Sequence, residues 1–204
     1  DSDLYRAHPE WILHVGDRVP PEGRFQQVLD LTHQGAYDHV FGQVDAILTE
    51  YDIAYIKWDH NRTLTEAAHL GQAAVREQTK AIYRLFDQLK ANHPGLEIES
   101  CSSGGGRIDL GMVEHADRFW TSDCNDALER QYIQRYTQFA IPPEMLGSHI
   151  GPTHSHTTHR THSLSFRAIS ALFGHAGLEW DVTETTPEER AALKSWASYY
   201  KANR

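Results

Sequence analysis

Residues 53–101 of the chain read IAYIKWDHNRTLTEAAHLGQAAVREQTKAIYRLFDQLKANHPGLEIESC. The stretch Ile53–Asp59 is an apolar segment of strand length, and the apolar residues between Val75 and Leu89 recur at helical spacing. Asn92-His93-Pro94-Gly95 ends that helix, and Leu96–Cys101 is a second apolar segment of strand length. The stretch therefore predicts a strand, a helix and a second strand, which is the repeating unit of α/β proteins with a parallel sheet.

The same alternation continues on both sides of this stretch. Further strands are predicted at Gln26–Leu31, Arg118–Asp123, Met145–Ile150 and about Leu172–Leu178. Helices are predicted at Ala36–Tyr51, at Asp126–Phe139, where Leu128, Tyr132, Tyr136 and Phe139 fall in register, and from the capping sequence Thr186-Pro187-Glu188-Glu189 onward. Open doubly wound sheets and closed barrels both fit this spacing, but the first unit lacks a glycine-rich phosphate fingerprint. We therefore expect an α/β fold, a (β/α)₈ TIM barrel that is incomplete, with about six of eight βα units present.

Composition excludes several classes of protein. The 204 residues are 40% hydrophobic and carry 19 basic against 28 acidic side chains, a net charge of −9. Without a cluster of Lys or Arg, a nucleic acid partner is not expected. The apolar runs are too short to cross a bilayer, so no membrane partner is expected either. Two cysteines, Cys101 and Cys124, are too few for a disulfide scaffold.

The first residues do not resemble a secretory signal. The chain begins with Asp1 in a polar stretch that has neither a basic start nor an apolar run. We expect that a segment was removed or that the chain is a piece of a longer protein. The compartment is undetermined on this basis, with the cytoplasm favoured.

The first candidate functional group is a carboxylate beside a cation. Functional side chains of βα barrels stand at the carboxyl ends of the strands, and Tyr55, Lys57 and Asp59 share one face of a predicted strand. A neighbouring Lys57 favours the ionised form of Asp59. The alternative is a structural Lys–Asp pair that caps a helix.

The second candidate is Asp123, which follows Trp120-Thr121-Ser122 directly before a helix. Taken alone, this position is more typical of a helix N-cap. Two carboxylates on alternate strands, however, are what cleavage of a glycosidic bond requires, one ionised and one protonated. The pair Asp59 and Asp123 therefore favours a glycosidase.

The segment Cys101-Ser102-Ser103-Gly104-Gly105-Gly106-Arg107 lies between the two carboxylates. Consecutive glycines allow backbone N–H groups to approach a ligand, either a phosphate or a sugar hydroxyl. The Gly-Lys-Ser/Thr ending of a phosphate loop is absent, which favours the sugar. Cys101 is interpreted as a small contact residue, since no neighbour clearly activates it as a nucleophile.

Five histidines crowd into one stretch: His149, His154, His156, His159 and His162. They allow two interpretations, a zinc site of a hydrolase or a loop in which one or two histidines touch substrate. No carboxylate or cysteine completes a zinc spacing signature there, so the second interpretation is favoured.

The order of the motifs resembles one known family. The segments are Arg24 before LDL, YIKWDHNR, ESCSSGGGRIDLGM, FWTSDCNDALERQ and LGSHIGPTHSHTTHRTHSLSFRAISALFGHAGLEWD. Together they resemble the melibiase-type α-galactosidases of glycoside hydrolase family 36, from Arg24 to about Asp181.

The resemblance implies a retaining α-galactosidase that hydrolyses terminal non-reducing α-D-galactosides of the raffinose or melibiose type through a covalent galactosyl-aspartate. It implies Asp59 as the nucleophile and Asp123 as the acid/base, with carboxyl groups about 5–5.5 Å apart. The sugar-binding residues that it implies are Arg24, Lys57, Trp58, Asn61, Cys101, Ser102, Ser103, Gly104 and Trp120. No metal or organic cofactor is implied, the partners are α-galactoside oligosaccharides, and the parent enzyme is expected to be a homo-oligomer.

The resemblance also sets expectations about domains and specificity. Residues 1–204 would be a partial catalytic barrel domain, with an N-terminal β-sandwich, the opening strands and a C-terminal β domain outside this chain. His60 and Ser103 depart from the family pattern, as do Cys124 and the loop Gly151–His156, which leaves the preferred galactoside open. The alternative function is a non-catalytic fragment or pseudoenzyme with residual sugar binding.

Overall fold

Strands and helices alternate along the chain in the computed structural model, which describes residues 2–204. The helices of this range are α1 (Asp3–Ala7), α2 (Gln34–Glu50), α3 (Val75–Asn92), α4 (Leu110–Val113), α5 (Ala127–Thr137), α6 (Leu164–Ser170) and α7 (Pro187–Asn203). The strands are β1 (Tyr55–Trp58), β2 (Ala68–His69), β3 (Gln72–Ala73), β4 (Glu97–Ser100), β5 (Arg118–Trp120), β6 (Leu146–Ile150) and β7 (His175–Leu178). Short 3₁₀ turns lie at Pro9–Trp11, Pro143–Met145 and Val182–Glu184.

The larger sheet has the strand order β1-β4-β5-β6-β7. Strands β4 to β7 are parallel, and β6 pairs with β7 from Gly147–His175 to Ile150–Leu178. At least one helix separates each strand of the larger sheet from the next one along the chain, and α7 follows β7. The prediction of an α/β fold with a parallel sheet is therefore confirmed, while β2 and β3 form a separate antiparallel pair.

Within residues 2–204 there are two compact units, one that runs to Ile98 and includes residues 110–116, and one that comprises residues 99–109 and 117–204. In the first unit α2 packs against α3, whose Leu85, Phe86 and Leu89 are fully buried. The Phe86 ring also meets Trp58 of β1 edge to face, with 5.7 Å between ring centroids. Burial of this apolar face of α3, predicted by its helical periodicity, is what holds the helix on its unit.

In the second unit the core lies between β5 and β6 and the helices that follow them. Phe119, Leu146 and Ile150 are fully buried in the strands. Ile150 packs in one cluster with Ala168 of α6 and Leu193 of α7. The strands at this point are buried and apolar because helices cover them, as is usual in parallel sheets.

The end signals of α7 are confirmed. Thr186 accepts a hydrogen bond from the backbone N–H of Glu189, and the Glu189 carboxylate accepts one from the N–H of Thr186. Pro187 occupies the first turn, where its missing N–H costs nothing.

One predicted strand is wrong. Residues Gln26–Leu31 do not join the sheet; instead Leu29 makes an isolated antiparallel bridge to Ile12. The N–H of Leu13 donates to Val28 (2.9 Å) and that of Asp30 to Trp11 (2.7 Å). The alternating residues of this segment therefore pair only over a short antiparallel contact with residues 11–13. The larger sheet within residues 2–204 has five strands where six were predicted.

The buried face of α5 is polar, although its apolar residues fall in register. Leu128, Tyr132 and Tyr136 are exposed, as is Phe139 just after the helix, whereas Arg130 and Gln134 are buried. Gln134 accepts a hydrogen bond from the hydroxyl of Thr121 (2.8 Å) and donates one to the carbonyl oxygen of Gly147 (3.4 Å), and Arg130 donates to the Thr121 hydroxyl (2.6 Å). The helix is oriented by these polar contacts rather than by its apolar residues.

In the part of the chain that the structure describes, no helix combines the length and the apolar character needed to cross a membrane.

Asp126 holds the start of α5 and the loop near residue 160 together. Its carboxylate accepts the backbone N–H groups of Leu128 (2.8 Å) and Glu129 (3.0 Å), and the Thr158 hydroxyl and His162 ring also bond to it. Burial by itself raises the pKa of Asp126. The hydrogen bonds oppose burial and prevail, lowering the pKa from 3.8 to about 2.

We expect Asp126→Asn to lower the free energy of unfolding by about 2 kcal/mol at pH 7, since Asn still caps a helix but loses the charge. Because the folded-state pKa is depressed, this contribution is complete above the unfolded pKa of 3.8 and is lost as the pH falls through about 2. Urea unfolding at pH 7, 5 and 3 measures it, and the difference from the wild type should shrink to about half by pH 3.

Asp181→Asn is the matched control. Asp181 caps the 3₁₀ turn Val182–Glu184 through the N–H of Thr183, and its pKa is also lowered, but it is exposed. We expect a change within about 0.5 kcal/mol. A pH-independent loss in Asp126→Asn would contradict the electrostatic account.

Candidate active site

In the first unit Asp59 follows β1 directly and is exposed. The backbone N–H of His60 donates to Asp59 Oδ1 (2.8 Å), and the Asn61 side chain donates to Oδ2. Arg24 Nη1 in turn donates to Asn61 Oδ1 (2.8 Å). Three residues that the resemblance assigns to the sugar site, Asp59, Asn61 and Arg24, therefore form one hydrogen-bonded chain, which holds the Asp59 carboxylate in one orientation.

Arg24 reaches Asn61 from a tight turn of unusual backbone geometry. Gly23 and Gln26 exchange both backbone hydrogen bonds, and the two residues between them, Arg24 and Phe25, have φ values of 55° and 58°. Side chains other than Gly rarely adopt this left-handed region, and each such residue costs about 1–3 kcal/mol. The Arg62 guanidinium holds the turn through the carbonyl oxygen of Gln26 (3.2 Å).

The other two predicted residues of this unit lie on β1. Lys57 is exposed, and Trp58 is half-buried against Phe86. Helix α3 begins only at Val75, after Ala74, so Asp59 does not cap it. The interpretation of Lys57 and Asp59 as a helix cap is therefore wrong.

In the second unit Asp123 follows β5 and is also exposed. The N-cap of α5 is Asp126, whose side chain accepts the N–H groups of Leu128 and Glu129. The interpretation of Asp123 as an N-cap is therefore wrong. Asp123 lies after the carboxyl end of a strand, where functional side chains of βα barrels stand, and does not cap α5.

The glycines after β4 serve close packing. A Cβ on Gly104 would lie 2.7 Å from the Cα of Ser122, and one on Gly105 would lie 2.8 Å from the carbonyl oxygen of Thr121. Such distances are well inside ordinary van der Waals contact. Gly104 also has a φ of 85°. The glycines therefore allow this loop to lie directly against the backbone that carries Asp123.

The predicted contact residues of the same loop differ in accessibility. Ser103 is exposed at a left-handed position with a φ of 47°, and Ser102 is half-buried. Cys101 is buried, with 1% of its surface exposed. Ser102 donates its N–H to Gly104 (2.9 Å) and accepts from the N–H of Gly106 (3.2 Å). Several backbone groups of the loop are thus engaged within the loop itself.

Trp120 is packed into the second unit, with 1% of its surface exposed. The Arg130 guanidinium lies 4.2 Å from the centroid of its ring, and the His149 ring lies 4.4 Å from it. His149 also bonds to Glu179 (3.2 Å). A Cβ on Gly147 would lie 3.1 Å from Trp120 Cε3, so the glycine at this position of β6 leaves the space that the indole occupies.

Two residues of the group around Trp120, Arg130 and Glu179, were not predicted from the sequence. Burial lowers the pKa of Arg130 to about 10, while the carboxylates of Glu179, Asp123 and Glu99 favour its charge. The guanidinium therefore remains charged at neutral pH. Its signal in the sequence is weak, because a basic residue on an amphipathic helix is usually solvated.

The histidine stretch does not converge. His162 bonds to Asp126, and the rings of His154 and His159 lie 5.5 Å apart. Over residues 2–204 no group of three or more His, Cys, Asp or Glu side chains is arranged to hold a metal ion.

Comparison with known proteins identifies the family. The Melibiase family model matches residues 1–204. An α-galactosidase of Escherichia coli is 46% identical over 201 residues, which is 98% of this chain. The crystal structure of the α-galactosidase AgaA from Geobacillus stearothermophilus superimposes with a TM-score of 0.94 at 36% identity over 99% of this chain. A variant of AgaA in complex with raffinose gives a TM-score of 0.94 at 35% identity.

The chain spans 28% of the length of the E. coli relative and 29% of that of AgaA. The matched parts include the KWD, CSSGGGR and WTSD segments in the predicted order. On the match of the family model over its whole length, the chain belongs to the Melibiase family.

Proposed function

We propose that the protein is a retaining α-galactosidase that hydrolyses terminal non-reducing α-D-galactosides of the raffinose or melibiose type. The observation that carries the proposal is that the KWD and WTSD carboxylates, Asp59 and Asp123, each stand exposed after a strand, while the N-caps of the next long helices, α3 and α5, are Ala74 and Asp126. Family membership and the raffinose complex of AgaA support the substrate class. The strand–helix order supports assigning residues 1–204 to part of a catalytic (β/α)₈ barrel.

In the proposed first step, an oxygen of the Asp59 carboxylate forms a bond to the anomeric carbon as the glycosidic C–O bond breaks. The electron pair of the broken bond leaves with the glycosidic oxygen, and the Asp123 carboxyl donates its proton to that oxygen. The products of this step are the free leaving-group alcohol and a galactosyl ester of Asp59.

In the second step, Asp123 acts as a base. It takes a proton from water as the water oxygen bonds to the anomeric carbon and the ester C–O bond breaks. The electron pair returns to the Asp59 carboxylate, and galactose is released with its original configuration. Two displacements at one carbon give net retention.

The remaining predicted residues supply the binding contacts. The resemblance assigns contacts with the sugar to Arg24, Lys57, Trp58 and Asn61 of the first unit and to Cys101, Ser102, Ser103, Gly104 and Trp120 of the second. Hydrogen bonds from the charged Arg24 and Lys57 are worth about 1.5–3 kcal/mol each. Trp120 is 1% exposed, so we propose that its larger contribution is to hold the segment that carries Asp123.

The first expected outcome concerns Asp59. Replacing it with Gly in the full natural chain should lower kcat for raffinose by about 10³-fold or more, as for other catalytic nucleophiles. Sodium azide should restore turnover by occupying the space of the lost carboxylate and should yield β-galactosyl azide, because only one displacement then occurs. Product configuration is read by proton NMR.

Asp52→Asn is the control for Asp59→Gly. Asp52 is exposed just before β1, at the opposite end of the strand. It should keep wild-type kcat within a few-fold. Normal turnover in Asp59→Gly would refute the nucleophile assignment.

The second expected outcome concerns Asp123. Asp123→Ala should lower kcat/KM for raffinose by about 10²–10⁴-fold, the usual contribution of a general acid. The loss should be much smaller for dinitrophenyl α-galactoside, whose leaving group departs without a proton. Azide should here give α-galactosyl azide, since Asp59 still makes the first displacement.

Asp117→Asn is the control for Asp123→Ala, because Asp117 precedes β5 at its other end. It should not distinguish the two substrates. Equal losses on both substrates in Asp123→Ala would contradict the acid/base assignment.

A further inference from the structure

The loop that carries Asp123 is held by one buried side chain of α5. Arg130 Nε donates to the carbonyl oxygen of Cys124 (2.7 Å), and Nη1 donates to the hydroxyl of Thr121 (2.6 Å). Nη2 donates to the carbonyl oxygen of Ser122. Arg130 therefore bonds to the residue on each side of Asp123 and to the one before them, without bonding to the carboxylate itself in these contacts.

The same guanidinium also fixes the strand that leads into the loop. Its Cζ lies 4.2 Å from the ring centroid of Trp120, the last residue of β5. A cation over an indole face is stabilising, and more so when water is excluded. Of residues 120–124, these contacts join Arg130 to every one except Asp123, which lies between two residues that Arg130 binds.

The site of Arg130 suits a planar cation with several donors. The side chain is 3% exposed, so its charge is retained only because its donors meet oxygen acceptors and because Glu99, Glu179 and Asp123 lie near it. A lysine carries a compact charge and cannot donate in three fixed directions while stacking on a ring.

A second contact restrains the same backbone. Gly104 and Gly105 pack directly on Ser122 and Thr121, with no room for a side chain. The backbone before Asp123 is therefore confined by the glycine loop as well as by Arg130. Such double restraint is what an acid/base needs, because misplacement by about 1 Å can cost about 10²-fold in rate.

We propose that Arg130 is a positioning residue for proton transfer: it holds the Thr121–Cys124 loop so that the Asp123 carboxyl stands where the leaving-group oxygen must be protonated. The proposal rests on the proposed function, in which Asp123 is the acid/base. It predicts that replacing Arg130 lowers kcat/KM strongly for substrates whose leaving group must be protonated and only slightly for those whose leaving group need not be.

The test compares Arg130→Lys with wild type in the full natural chain on two substrates. On melibiose, whose leaving group is a sugar alcohol, kcat/KM should fall by about 10²-fold. On dinitrophenyl α-galactoside, kcat/KM should change less than about 3-fold, since its leaving group requires no proton. On the activated substrate kcat should fall because water is then deprotonated less well, and azide should restore it.

Arg167→Lys is the matched control. Arg167 is 4% exposed, lies 4.6 Å from the Trp180 ring centroid and donates to the carbonyl oxygen of Gly151, and its other hydrogen bonds are to His162 and Thr153. It should lower the melting temperature to a similar extent and affect both substrates by the same factor. If Arg130→Lys also affects both substrates equally, the proposal is overturned.

A second variant decides the matter should Arg130→Lys not fold. Thr121→Val removes the acceptor of Nη1 and leaves the other two hydrogen bonds in place. It should show a smaller loss with the same dependence on leaving group, and a uniform loss would overturn the proposal. Asp123→Ala is run in parallel: if that variant shows neither leaving-group dependence nor azide rescue, the proposed function has failed, whatever Arg130 does.

Discussion

One buried charge sets the geometry of the turn between β5 and α5. A guanidinium removed from water is costly unless acceptors surround it, and Arg130 finds them in Thr121, Ser122 and Cys124. Any movement of the turn would leave a buried donor without its acceptor, at a cost of about 1–3 kcal/mol or more for a charged group. The position of Asp123 is therefore a consequence of the burial of Arg130.

Space imposes a second constraint on the same region. The glycine loop after β4 lies against the backbone of Thr121 and Ser122, and Gly147 of β6 leaves room for the Trp120 ring and the Glu99 carboxylate. A single methyl group at any of these positions would require backbone or a buried ring to move. The glycines after β4, which in the sequence suggest a ligand-binding loop, therefore also allow that loop to pack closely on the backbone of Thr121 and Ser122.

The two units hold their exposed carboxylates in different ways. Asp59 accepts hydrogen bonds from its own neighbours His60 and Asn61, and Asn61 is bound in turn by Arg24 from a strained turn. Asp123 is instead held through its backbone. In both cases conformational strain or a buried charge, each unfavourable for stability by itself, serves to orient a side chain at a strand end.

Periodicity and motif order alone determined much of this protein. Helices α2, α3, α5 and α7, the strands from β1 to β7 of the larger sheet, the cap of α7 and the family all follow from local patterns, since each depends on residues close in sequence. Tertiary structure decided the rest. Gln26–Leu31 alternates like a strand, but the nearest available partner was Ile12, and pairing depends on which backbone lies alongside.

Packing likewise decided which face of α5 is buried and which of the two preceding aspartates, Asp123 or Asp126, caps the helix. The apolar stripe of α5 is exposed because the opposite face carries Arg130, which donates to the Thr121 hydroxyl, and Gln134, which accepts from it. Asp126 caps the helix and leaves Asp123 exposed because the helix begins at Ala127, a boundary that neither residue type could specify. A sequence shows which groups can form hydrogen bonds, whereas the choice among acceptors depends on what the fold brings within about 3 Å.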